Sequence, residues 1–375
     1  MQFLKDIQEE LAGKTVLLRT DLNAESAEDS FKIEKSIGTL RFLLERGAKV
    51  VVMSHRGRPT EDQVSPRRPE NIPEEFSLRF VLPFLEEHLK VVPKFLPDFD
   101  FGAHKQSVAA VPAGSLFVLE NVRLHSGENS GDLEYAKQMA SLGDIYVNDA
   151  FGSWHPGASV TELPKLLPAY AGLLMEAELE HLNHVMDGAP TPRIVILGGG
   201  KAADKFSVIK NLYDRTDAFL IGGILANTFL KARGMDVGSS VIDEEIVEQV
   251  NSFSSDAKII LPIDFIKDAE GKILDIGPES RKLFSEHVAV SKTVIWNGPL
   301  GYFEDPAFRA GSERIAKVIA DTSNCAVVGG GETTQLILEM GMSNAFTWLS
   351  TGGGAMLAFL AGKRLAGLEA LGYYE

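Results

Sequence analysis

The residues able to do chemistry sit where apolar runs break on glycine. In RIVILGGGKAADKFSVIKNL, residues 193–212, the run Ile194 to Leu197 ends in three glycines and Lys201. Phe206, Ile209 and Leu212 then recur at helical spacing. A strand that turns on glycines into a helix points backbone N–H groups at whatever lies above the turn, which is an anion site in outline. The same turn recurs in VVGGGETTQL and LSTGGGAMLA. Each single turn is equally compatible with close packing of a helix on a strand. Lys201 beside one turn suits phosphate. Glu332 beside another would repel phosphate unless a cation lay between them, a need that Mg²⁺ bridging carboxylate and phosphate oxygens meets. The pattern therefore suggests a Mg-nucleotide. A P-loop fails on Ala202, where Ser or Thr is required. A dinucleotide fold wants an acid closing the next strand, but AFLIGG ends in Gly222 and Gly223, with Asp217 before it.

The other half of the chain places cations at the ends of apolar runs. VLLRTDLN carries Arg19, Asp21 and Asn23; VVVMSHRGRP carries His55, Arg56 and Arg58; LFVLENVRLH carries Arg123; IYVNDAFGSWHPG carries His155. Ligands of open α/β sheets sit beyond the carboxyl ends of strands. In a chain of formal net charge −15, this gathering of positive groups reads as a pocket for a small anion, with Asp21 and Asn23 binding its hydroxyls. The alternative is a solvated rim of unrelated charges. A lobe for Mg-nucleotide and a lobe for a small anion together describe a kinase, since phosphoryl transfer needs cations, in-line positioning and exclusion of water rather than covalent chemistry.

Elements of one kind must hold these residues. Short apolar runs rich in Val, Ile and Leu alternate with helical patterns from end to end: TVLLRT, KVVVMS, SLFVLE, DIYVND, RIVILG, AFLIGG, KIILPI, TVIWNG and AVVGGG. They read as buried parallel strands with helical crossovers, so the fold class is α/β, with two doubly wound parallel-sheet, Rossmann-like domains. LLMEAELEHLNHVMDG, 173–188, reads as a central helix joining them. Residues 54–75, rich in Pro, Arg and Glu, read as a long surface loop. The expected domains are 1–172, which binds the small anion, and 173–364, which binds Mg-nucleotide and includes the linker helix.

Composition narrows the partners. The negative charge argues against nucleic acid and anionic membranes. The single cysteine, Cys325, permits no intrachain disulfide and fits a cytoplasmic location. No signal-peptide core appears at the amino terminus, and no apolar run approaches the ~18 residues of a membrane span.

The stretches VLLRTDLN, GAKVVVMSHRGRP, LENVR, ASLGDIYVNDAFG, ILGGGKAADK, ANTFLKA, DIGP, VIWNGPLGYFE, GGGET and STGGGA, in this order, resemble the phosphoglycerate kinase family along nearly the whole chain. The resemblance implies reversible phosphoryl transfer from 1,3-bisphosphoglycerate to ADP, giving 3-phosphoglycerate and Mg-ATP, by a cytoplasmic monomer. It implies that Lys201 reaches the transferring group and Lys205 the nucleotide phosphates. Gly199 and Asn297 would lie near the phosphates and Glu304 on the ribose. The turn Gly329, Gly330 and Gly331 would cradle the transferring group, with Glu332 toward Mg²⁺ and Thr333 toward phosphate. Arg19, Asp21, Asn23, His55, Arg58, Arg123 and His155 would bind 3-phosphoglycerate. The tail, about 365–375, would pack back on the first lobe.

This chain also departs from the family pattern. Lys32 stands where the family has an arginine bearing on the transferring phosphoryl group, and keeps the charge without the planar fork. The basic run after DAFG is reduced to HPGA: His155 stays, Pro156 replaces an arginine, and a second histidine is missing. Glu332 replaces aspartate, Trp348 replaces the histidine before STGGG, and Met356 and Ala358 replace Ser and Glu. Arg56 is a gain, expected to restore the lost cation unless it turns to solvent and pairs with Glu61 or Asp62. Two other readings are a non-catalytic nucleotide-binding paralogue and a kinase for a related small carboxylic acid.

Overall fold

Buried apolar runs become the inner strands of two parallel sheets. The computed structural model describes residues 1–7, 10–24, 31–60, 63, 72–253, 255–322 and 325–375. Residues 61–62 and 64–71 of the expected surface loop lie outside them. The chain divides into two units: Met1–Glu178 with Arg364–Glu375, and Leu179–Lys363.

In the first unit β1 (Thr15–Arg19), β2 (Lys49–Met53), β3 (Lys94–Leu96), β4 (Leu116–Leu119), β5 (Ile145–Asn148) and β6 (Ala169–Ala171) pair in the order β3-β4-β2-β1-β5-β6, all parallel. In the second, β7 (Arg193–Leu197), β8 (Ala218–Ile221) and β9 (Ile259–Ile260) run to one side. A small antiparallel pair follows, β10 (Phe265–Lys267) with β11 (Ile273–Ile276). Then come β12 (Thr293–Asn297), β13 (Cys325–Gly329) and β14 (Trp348–Leu349), giving the order β14-β13-β12-β7-β8-β9. That is the doubly wound strand order, and both units are α/β. Every residue of β1, β7 and β12 is buried, because helices cover both faces of a parallel sheet.

The connections leave each sheet in opposite directions at one place. In the first unit this is between β1 and β5, where Arg19 lies opposite Asn148. In the second it is between β7 and β12, where Leu197 lies opposite Asn297. A crevice opens at such a switch point, and the candidate residues cluster at these two.

The helix Leu173–Asn183 starts on the carboxylate of Asp149, just past β5, which accepts from the N–H groups of Leu174 (2.9 Å) and Met175 (3.1 Å). Burial pushes the Asp149 carboxyl up to about 6 despite these bonds. The unit division falls inside this helix, after Glu178, rather than at its start. Among the described residues, no helix is long and apolar enough to cross a membrane.

Candidate active site

In the second unit the glycine turns interlock. Gly198 donates to the Asn297 carbonyl at 3.0 Å and Gly199 to that of Pro299 at 2.6 Å. A Cβ on Gly198 would sit 2.0 Å from the Pro299 oxygen, so the two loops touch backbone to backbone. Gly330, with φ of +104°, lies against Gly298 on one side, and a Cβ on Gly353 would meet its Cα at 2.8 Å. Close packing thus explains the inner glycines. It does not explain Gly200, Gly331 and Gly354, the third of each set, where an added Cβ would meet nothing within 4 Å. Each precedes or opens a helix: Ala202–Leu212, Gly331–Glu339 and Gly353–Leu360.

The polar residues around these turns differ in how far the fold uses them. Lys201 caps its helix in the left-handed region (φ 54°, ψ 55°) and is exposed; its carbonyl accepts from Lys205 N–H at 3.3 Å, but its ammonium makes no hydrogen bond or ion pair among the described residues. Lys205 is buried and donates to the Gly200 carbonyl. Burial pulls its ammonium down to about 8, with Glu332 acting in the opposite direction. Asn297 is buried and reaches the Gly353 carbonyl at 3.4 Å. Thr333 is fully buried, and its hydroxyl has no partner. Glu332 is exposed, its carboxylate 3.5 Å from the position a Cβ on Gly199 would take. Glu332 and Glu304 line one cavity of about 350 Å³, together with Gly199 and Gly200. Ile224, Val241, Phe265, Leu274 and Leu300 contribute apolar wall. A cavity of this size, mostly apolar with a few polar groups, suits a small organic ligand.

In the first unit the structure brings Arg19, Asp21, His55, Arg123 and Lys32 within mutual electrostatic reach, with Arg58 close to Arg123. Arg19 is 2% exposed; its guanidinium donates to Ser159 Oγ (3.0 Å), the Thr20 carbonyl (2.7 Å) and His55 Nδ1 (3.1 Å). A guanidinium only donates, so His55 Nδ1 accepts and the ring carries its proton on Nε2. Burial first and Arg19 second depress the His55 pKa to about 3, so the ring is neutral at physiological pH. Burial opposes ionisation of Asp21, but Lys32 at 3.4 Å, the Asn23 N–H and Arg19 outweigh it and hold the carboxyl below its usual value. Asn23 accepts from Gly57 N–H (2.9 Å), and Arg123 donates to the Gly57 carbonyl (3.1 Å). Arg58 is exposed.

Two expectations need correction. Arg56 does not join this cluster. It is buried, donates to the carbonyls of Ala24 (3.0 Å), Glu74 (2.8 Å) and Ser77 (3.0 Å), and lies 3.9 Å over the Phe80 ring. Its charge faces Glu74, Glu75 and Glu120. Glu61 and Asp62, the alternative partners, lie outside the described residues. His155 is exposed and stacks on Trp154 with ring centroids 4.0 Å apart. The expected consequence for Arg56 is structural. Arg56→Leu strands the carbonyls of Ala24, Glu74 and Ser77. It should lower the melting temperature by roughly 5–10 °C. A raised KM for the acid with an unchanged melting temperature would return Arg56 to the site.

Sequence reasoning missed Glu128 and Ser159. Glu128 is 4% exposed and Ser159 fully buried, and they bond each other through both the Ser159 hydroxyl (2.5 Å) and its N–H (3.0 Å). The signal was weak: a single acid in a polar helix turn and a serine beside an irregular segment.

Residues 4–363 match the family model described as phosphoglycerate kinase. The chain is 39% identical to a phosphoglycerate kinase from Herpetosiphon aurantiacus over 96% of both chains. It is 40% identical to one from Solibacter usitatus, over 99% of this chain and 100% of that one. The solved structure of phosphoglycerate kinase from Pyrococcus horikoshii superposes with a TM-score of 0.86 at 28% identity, covering 99% of this chain and 98% of that one.

Proposed function

The chain belongs to the phosphoglycerate kinase family and is a phosphotransferase with a carboxyl group as acceptor, and we propose how its residues divide the reaction between 1,3-bisphosphoglycerate and ADP. The observation that carries the reading is the open third glycine of each turn, beside the unpartnered Lys201 and the exposed Glu332. Among the described residues the Lys201 ammonium makes no hydrogen bond or ion pair, Glu332 is exposed, and the third glycines leave open space above the backbone.

In this reading the apolar cavity takes the base of the nucleotide and Glu304 the ribose hydroxyls. Lys205, Asn297 and the orphaned Thr333 hydroxyl face its phosphates. The N–H groups of the helix beginning at Gly331 bind the transferring group, and Lys201 neutralises charge that builds on it in the transition state. Among the described residues no group of three or more His, Cys, Asp or Glu side chains forms a metal cage. One exposed carboxylate beside phosphate-binding turns is the donor set Mg²⁺ accepts, because Mg²⁺ takes its remaining ligands from nucleotide oxygens and water. Glu332 is the residue that would hold it. When bound, Mg²⁺ would draw charge from the phosphate oxygens.

In the first unit Arg58, Arg123 and the Nε2–H of His55 receive the anionic acid, and Asp21 and Asn23 bind its hydroxyl. Lys32, paired with Asp21, brings charge to the transferring group without the two-pronged grip of arginine. With Pro156 in place of an arginine, 3-phosphoglycerate binds more weakly than the full basic pattern would allow. We read the protein as a cytoplasmic monomer on its single cysteine and its family.

The test is ADP formation that depends on both 3-phosphoglycerate and Mg²⁺, followed with purified protein. The expected result is turnover that disappears when either is omitted. Nucleotide binding without phosphoryl transfer would overturn the proposal.

A further inference from the structure

We propose that Glu128 and Ser159 are positioning residues for the acid site: through Arg19 they hold His55 in the tautomer that presents Nε2–H to the substrate. The inference rests on the reading of the first unit as the acid half-site. Four groups form one directed chain. The Glu128 carboxylate accepts from Ser159 Oγ at 2.5 Å, Ser159 Oγ accepts from Arg19 Nε at 3.0 Å, and Arg19 Nη2 donates to His55 Nδ1 at 3.1 Å. The serine hydroxyl has one hydrogen, and the carboxylate takes it. The oxygen is then left as an acceptor for the guanidinium, so each bond fixes the direction of the next.

The electrostatics require this arrangement. A guanidinium 2% exposed is costly without a counter-charge, and Asp21, which also feels Arg19, is shared with Lys32 at 3.4 Å. Glu128, itself 4% exposed, supplies the negative charge through the hydroxyl while also gripping the Ser159 N–H at 3.0 Å. The short hydroxyl–carboxylate distance is that of a charge-assisted bond. Arg19 is thereby held from three directions, with the Thr20 carbonyl as the third anchor. A guanidinium that turned away would leave Nδ1 only the Ser153 hydroxyl at 3.5 Å, to which the ring can donate once the proton moves there from Nε2. The chain also explains a small residue: a side chain at Gly157 would begin 3.2 Å from Glu128 Oε1. None of these contacts touches substrate, so Glu128 and Ser159 act through Arg19 and His55.

The experiment compares wild type with Glu128→Gln, Ser159→Ala and the double variant. It uses steady-state kinetics and ¹⁵N spectra of histidine-labelled protein, with the His55 signals assigned by their loss in His55→Gln. Wild type should show His55 with an unprotonated Nδ1 and a protonated Nε2. Ser159→Ala should raise the KM for 3-phosphoglycerate about tenfold, leave that for ATP within about twofold, and mix the His55 tautomers. The double variant should be no worse than Ser159→Ala, because both substitutions break one chain. A loss of stability alone would lower the melting temperature without moving the ring nitrogens. Either readout remaining at its wild-type value in folded Ser159→Ala protein overturns the proposal, as does a protonated Nδ1 in wild type. Wild type that fails to turn over 3-phosphoglycerate at all would count against the functional reading instead.

Discussion

Lys201→Ala should lower kcat by about 10²–10³-fold while changing the dissociation constant for Mg-ADP only a few-fold. The side chain it removes does nothing for the fold: Lys201 is exposed, and its ammonium has no hydrogen bond or ion pair among the described residues. Its backbone is another matter. It occupies the left-handed region at φ 54°, where a residue with a Cβ costs on the order of 1 kcal/mol. Lysine is thus retained at a position where glycine would be easier. Lys201→Gly separates the two effects. It relieves the backbone, so the melting temperature should hold or rise, yet turnover should fall as far as in Lys201→Ala. Lys205 gives the contrast, since it is buried and ties down the Gly200 carbonyl, so its removal should cost both stability and nucleotide affinity. A Lys201→Ala protein with equal losses in kcat and ADP affinity would place this ammonium on ground-state phosphates.

Gly331→Ala should keep the fold and lose at least about 10²-fold in turnover. An added Cβ there meets no atom within 4 Å, φ lies outside the left-handed range, and the residue opens the helix Gly331–Glu339, where alanine is favoured by about 1 kcal/mol. The melting temperature should therefore hold or rise. The methyl would stand in the space above the helix N-terminus and push the transferring group off its N–H donors. The same change at Gly198 should have the opposite outcome. Its Cβ would lie 2.0 Å from the Pro299 oxygen, backbone cannot give way by that much, and the second unit should fail to fold stably. Full activity in Gly331→Ala would mean that the transferring group lies elsewhere.

Much of the architecture was legible because its cause is local. A parallel strand covered on both faces must be apolar along its length, so β1, β2, β4, β5, β7, β8, β9, β12 and β13 stand out as runs of Val, Ile and Leu. The glycine turns after β7 and β13 announce themselves for the same reason, since a change from strand to helix period is written in consecutive residues. The strands that sequence reasoning passed over are β3, β6 and β14, each at the edge of a sheet, and the small pair β10 and β11. β3, β6 and β14 have two or three residues and one ladder apiece, too little to impose a pattern; β9 shares that edge position but lies in the apolar run Ile259, Ile260 and Leu261.

Only the tertiary structure decided where long side chains point and which glycines are packed and which are open. Arg56 lies between His55 and Gly57, yet its fork is claimed by carbonyls at 24, 74 and 77 while His55 turns to Arg19. Gly198 and Gly200 look alike in sequence, and only the approach of Pro299 separates a packing glycine from an open one. Arg19 meets Ser159 across 140 positions. Backbone type follows from neighbours along the chain, whereas a buried charge takes its direction from whichever donors and acceptors the fold brings alongside it, and no local pattern records those.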